Sequence, residues 1–146
     1  MTVYAEDVNY WKTGQSSADS WIDKAKAEIR AAGGRVDGDA YGREGARAAY
    51  LLDFRFGEER FRIVWPVLPT RSKREADERA ARVQAATMLY HDVKAKAVSA
   101  KVHGVRAAFF QYLALPDGRT AAQLAAPDLT DRYPRLLAAP PERSET

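Results

Sequence analysis

From Lys73 to Val102 no proline or glycine interrupts the chain. One helix over that span would be about 45 Å long, at about 1.5 Å per residue. A strand of six or seven residues reaches only about 20 Å. A helix of that length outruns any short sheet. The remainder must lie against another helix, against the segment that follows it, or against a second subunit. Ser72 followed by Glu75 reads as a capping box at its start. Helical spacing predicts a buried stripe of Ala76, Ala80, Val83, Ala86, Leu89, Tyr90, Val93 and Ala97.

The elements available to meet this helix lie upstream. "LLDFRFGEERFRIVWP", Leu51 to Pro66, has the two-residue period of a hairpin. With Gly57-Glu58 as its turn, Phe54 faces Phe61 and Leu52 faces Ile63. Leu52, Phe54, Phe56, Phe61, Ile63 and Trp65 then share an apolar face, while Asp53, Arg55, Arg60 and Arg62 share the other. Pro66 and Pro69 are expected to end the second strand. Before the hairpin, Ser16 or Ser17 caps an amphipathic helix whose inner face carries Ala18, Trp21, Ala25, Ile29 and Ala32, and Gly33-Gly34 stops it. "RVDGDAYGREGA" reads as a polar, glycine-rich loop with at most a short strand near Arg35-Val36. After Gly104, "VRAAFFQYLAL" is expected to be a short helix through Leu115, with Phe109, Phe110 and Tyr112 in the core. Thr120 and Gln123 form a further capping box.

The fold class that follows is α+β: a small antiparallel sheet of two or three strands with helices packed on one face, one of them long. Residues 1–128 are expected to form a single domain, and residues 129–146, ending in "PPERSET", a loosely ordered tail. The chain has no cysteine, which excludes disulfides and thiol chemistry and fits a reducing, cytoplasmic setting. No apolar run approaches the roughly 20 residues of a membrane span, and the N-terminus lacks the pattern of a signal peptide.

Chemistry-bearing patterns are few. His91 and His103 stand twelve positions apart, which is not a ligating spacing on one helix, and no zinc, phosphate-loop or nucleophile motif occurs. No enzyme, metal or cofactor is expected. The notable charge pattern is "YHDVKAKAVSAKVHG", in which His91, Lys94, Val98 and Lys101 recur at spacings of three, four and three, with Lys96 to one side. Such a basic ridge suits phosphate contacts, although cations near a helix C-terminus are also favoured by its dipole. Arg55, Arg60 and Arg62 make a second candidate patch, offset by Asp53, Glu58 and Glu59.

Val93 to Lys96, Phe109 to Tyr112 and Leu115 to Thr120, in this order of elements, resemble small uncharacterised proteins encoded by bacteriophages and prophages. The resemblance implies a setting among mobile-element or DNA-handling genes and gives no residue a role. The expected function is that of a non-enzymatic nucleic-acid-binding accessory protein, for single strands or strand pairing. Its site would be His91, Lys94, Lys96 and Lys101, with Arg55, Arg60 and Arg62 as the second patch. A homo-oligomer is expected from the length of the helix. The alternative is a self-associating interaction module whose charges serve solubility.

Overall fold

A computed structural model describes residues 2–45 and 47–125. The expected tail, 129–146, lies outside them. Among the described residues four helices accompany a three-stranded antiparallel sheet, so the α+β class holds. Helix α1 (Ala18–Ala31) starts where the Ser17 hydroxyl accepts the Ser20 N–H at 3.1 Å. It places Ile22, Ala25 and Ile29 in the core. Gly34 follows at a close approach: a Cβ there would come within 2.8 Å of both Ile29 and Phe56.

The sheet is a meander of β1 (Arg35–Glu44), β2 (Arg47–Phe56) and β3 (Glu59–Val67), in that spatial order. The hairpin register is the expected one, with Phe54 opposite Phe61 and Leu52 opposite Ile63. Gly57 turns it at φ +62, a conformation that favours glycine. Two expectations about strands fail. The segment read as a loop is the ten-residue strand β1. Its glycines sit inside the ladder, and a register shift between Val36 and Gly38 leaves Asp37 as the extra residue of a bulge. Pro66 does not end β3 but pairs with Ala49. β3 is an edge strand, where a missing N–H costs no ladder bond.

Helix α2 (Glu75–His103) covers the apolar face of the sheet together with α1. The core gathers Leu52, Phe54, Phe61, Ile63, Leu89, Val93 and Phe109, all fully buried. Phe54 stacks on Phe61 at 5.5 Å and meets the edge of Phe109 at 5.6 Å. The second half of the expected stripe holds, in Ala86, Leu89, Val93 and Ala97. In the first half the buried positions are Asp77, Ala81, Gln84 and Ala85, with Ala76 exposed. The helix is therefore rotated there by about one residue. The capping box fails for a related reason. α2 begins two residues later than expected, and the Ser72 hydroxyl instead accepts the Arg74 N–H at 3.2 Å.

After Gly104 the expected single helix is three short pieces. Helix α3 (Val105–Ala108) leads to a 3₁₀ turn (Phe110–Tyr112), and Leu113 and Ala114 then run extended. Leu113 bridges to Phe61, and the Ala114 N–H donates to the Arg60 carbonyl at 2.8 Å. Phe109 and Tyr112 are buried as expected, while Phe110 is exposed. The second capping box is present at α4 (Ala121–Ala125): Gln123 accepts the Thr120 N–H at 2.9 Å, and Thr120 accepts the Gln123 N–H at 3.3 Å.

The buried amide of Gln84 ties the N-terminal segment to this frame. Its Nε2 lies 2.8 Å from the Ala5 carbonyl oxygen, 3.1 Å from that of Val8 and 3.0 Å from that of Asn9. Three acceptors around one nitrogen fix the orientation of the amide, since its oxygen could not face them. Gln84→Leu is expected to lower stability in urea denaturation by about 1–3 kcal/mol through unsatisfied buried carbonyls. Gln84→Glu should cost more than Gln84→Leu, because it sets a negative charge against the same three oxygens. Equal stability of Gln84→Glu and wild type would contradict this anchoring.

Candidate nucleic-acid interface

The outer face of the sheet does not present three free arginines. The β1 bulge turns Asp37 toward Arg55, whose Nε lies 3.1 Å from one carboxylate oxygen and 3.2 Å from the other. The register sets Asp53 directly opposite Arg62, and the pair is bidentate at 2.8 and 2.9 Å. Arg62 was expected to be exposed, yet it is only 8% exposed. Its carboxylate partner across the strand draws the guanidinium flat onto the sheet. Neighbouring apolar residues, Val64 and Ala49, are buried on this same side. Arg60 is half-buried opposite Arg55. A phosphate would have to displace a carboxylate at Arg55 and at Arg62, so this surface is mainly self-neutralised.

The α2 ridge is different. His91, Lys94 and Lys101 are exposed, as their spacing implies. Lys96 is not part of the outward surface. It is half-buried, 3.3 Å from Asp92 one turn earlier, with its ammonium 5.5 Å from the centre of the Tyr112 ring. The Tyr112 hydroxyl donates to Asp92 as well. Burial, and then the Asp92 charge, push that hydroxyl well above the usual tyrosine range. Asp92 therefore holds Lys96 and Tyr112 together, which leaves His91, Lys94 and Lys101 as the outward set.

Aromatic rings join this ridge from two other elements. Tyr10 lies parallel to His91 at 5.0 Å, with planes 9° apart. Trp21 of α1 approaches His91 at 5.8 Å and Tyr90 at 5.3 Å. Lys24, one turn on from Trp21, places its ammonium 4.3 Å from the indole centre. Tyr10 is 37% exposed. Beside this cluster lies a cavity of about 360 Å³ bounded by Tyr10, Lys12, Ser17, Trp21, Arg79 and Thr87. The indole N–H of Trp21 is buried without an acceptor. Spacing within α2 could reveal the basic residues but not these rings. Trp21 reads as core on its own helix, and Tyr10 belongs to a segment without periodicity.

The segment that carries Tyr10 has left-handed backbone at Tyr10 (φ +72) and Lys12 (φ +55). Both are uncommon for residues with a side chain and need restraint from outside. Gln84 supplies one restraint, and the ion pair of Lys12 with Asp77, at 2.5 Å, supplies another.

Among the described residues no group of three His, Cys, Asp or Glu side chains could hold a metal ion. Nor is any helix there long and apolar enough to cross a membrane. No protein-family model matches the chain, and no curated protein or solved structure gives a match. What the site can do is therefore read from its own chemistry: flat rings for stacking, next to cations that are not spent on carboxylates.

The Lys12 pair has a pH signature. Lys12, and then the Ser72 hydroxyl, hold the Asp77 carboxyl down at about 2, against an ordinary value of about 3.9. A carboxyl depressed in the folded state contributes stability above its unfolded value and loses it as pH falls through the folded value. Wild-type stability should therefore decline between about pH 4 and pH 2, and Asp77→Asn should make that decline shallower. Urea titrations across this range provide the check; parallel curves for the two proteins would contradict it.

Proposed function

We propose that the protein is a non-enzymatic nucleic-acid-binding accessory protein that holds single strands, or strands being paired, on the α2 ridge. The carrying observation is the parallel Tyr10–His91 pair beside Trp21, with Lys24 over the indole and the exposed Lys94 three residues after His91 on α2. Every base has a π-face, so stacking on such rings tolerates any sequence. Lys94, and Lys101 two turns further along the helix, would take the phosphates. The resemblance to phage-encoded proteins supports a DNA-handling setting, and the absence of cysteine suits the cytoplasm.

A second reading has its own observation. Val98 and Val102, one turn apart on α2, are 58% and 76% exposed. In a self-associating module they would form the seam between two copies. The length of α2 no longer argues for this, because α1 and the segment after Gly104 cover it within the chain. If this reading is correct, Val98→Ser with Val102→Ser converts a dimer to a monomer in light scattering, and no strand binds.

The nucleic-acid reading expects a labelled 30-mer with a 5′-hydroxyl to bind at low salt, with a log–log salt slope of about −0.7 per phosphate contacted. Lys94→Gln with Lys101→Gln should flatten that slope by about 1.4. Tyr10→Ala should weaken binding by about 1–3 kcal/mol, the usual worth of one stacked base. Lys96→Gln, and Arg55→Gln with Arg62→Gln, should leave affinity nearly unchanged. Absence of binding by the wild type at low salt would end this reading, and so would wild-type affinity and salt slope in the Lys94/Lys101 variant.

A further inference from the structure

A second cavity, of about 310 Å³, lies where the start of α2 meets the ends of β1 and β3. Four cationic side chains line it, Arg43, Lys73, Arg79 and Arg82, against the two carboxylates of Glu75 and Glu78. Arg79 is shared with Glu75 at 3.8 Å. Among the described residues Arg43 and Lys73 donate to backbone carbonyls, those of Gly45 and Thr70. The informative residue is Arg82. Its guanidinium is half-buried and lies over the Tyr41 ring at 4.4 Å. It faces the hydroxyl of Tyr50, a residue only 4% exposed. The Tyr50 hydroxyl stabilises the Arg82 charge, yet it does not complete a well-aligned hydrogen bond to the buried Arg82 Nε, and among the described residues no carboxylate stands within ion-pair distance of Arg82.

Arginine cannot lose its proton to escape such a site. Half withdrawn from water, Arg82 has an aromatic face and a neutral hydroxyl beside it but no anion in contact, and a charge in such a place gains from a closely bonded counter-charge. An anion in the cavity would supply it and would balance the excess of cations over carboxylates in the lining. Its best form has several oxygens around one centre, because the guanidinium fork matches phosphate with two parallel N–H···O bonds. The cavity's size falls at the lower end of the range for small-ligand sites.

We propose that this cavity is a phosphate-binding site in which Arg82 grips the phosphate and Arg43 and Lys73 close over it. The site does not depend on strand binding at the α2 ridge. Two sources share the required chemistry: a small phosphate ester or pyrophosphate, and the terminal phosphate of a strand. The second has structural support, since Arg79 borders both this cavity and the one beside Tyr10 and Trp21.

The test uses the full chain and thermal unfolding with 1–5 mM pyrophosphate or adenosine monophosphate. Sulfate at equal ionic strength is the control. Wild type should gain a few degrees in Tm from the phosphate probes, at least twice the gain from sulfate, and Arg82→Gln should abolish the difference. If Arg82→Gln does not fold, Arg43→Gln with Lys73→Gln, both at the surface, should reduce the gain at least by half. In a second arm, a 12-mer carrying a 5′-phosphate is compared with the same 12-mer ending in a hydroxyl. A preference of about tenfold for the phosphate that is lost in the variants assigns the site to strand ends. A Tm gain without that preference assigns it to small phosphates. The proposal is overturned if wild type gains no more from phosphate probes than from sulfate, or if the gain survives in the folded variants. Loss of 5′-hydroxyl strand binding alone would overturn the ridge reading and leave this site standing.

Discussion

Much of this structure depends on one amide. Gln84 sits in the first half of α2, and its single nitrogen is surrounded by three main-chain oxygens from the N-terminal segment. That segment buries little of its apolar surface: among its described residues Ala5 is the one fully buried hydrophobic side chain. Further polar contacts hold it down, the Lys12–Asp77 ion pair among them. The Ala5 N–H donates to the Pro69 carbonyl, and Glu6 accepts from the main chain of Arg71 and Ser72. Once these are made, Tyr10 has little choice but to lie over His91. The aromatic part of the candidate interface is thus positioned by polar bonds to a core helix, not by a core of its own.

The hairpin shows the complementary case, in which register decides chemistry. Gly57 permits the tight turn, and the tight turn sets Asp53 opposite Arg62. A slip of one residue would reverse every side chain between the two faces. The same geometry that builds the Phe54–Phe61 stack also neutralises the arginine on the other side. A surface that counts as basic by composition becomes a set of internal pairs. The α2 ridge escapes this because its neighbours across the groove are aromatic.

Legibility followed periodicity. The hairpin, its turn, α1 and the length of α2 could all be read, because Phe54, Phe61, Ile63 and Leu89 repeat at intervals fixed by backbone geometry. β1 could not, since Gly38, Gly42 and a bulge at Asp37 erase the alternation that identifies a strand. The first turns of α2 misled for another reason. Apolar count favoured Ala76 and Ala80, but the buried set includes Asp77 and Gln84, held by partners far away in sequence. In the candidate site, the outward lysines were legible from helical spacing. The inward turn of Lys96 was not, because it depends on Tyr112 meeting Asp92 across a gap of twenty residues. The Arg82 cavity was invisible for the same reason: its cations come from β1, the loop before α2 and α2 itself.

Leu113 and Ala114 lie along the outer rim of β3, and Pro66 sits further along the same strand. An exposed strand rim is a template on which another chain can extend a sheet. Here one rim is partly occupied from within and then lacks a donor, and the other is bent by the β1 bulge and carries the charges of Asp37 and Asp39. Neither offers the long, flat run of free donors and acceptors that recruitment by strand addition requires. Growth into ribbons by strand addition is discouraged from both sides.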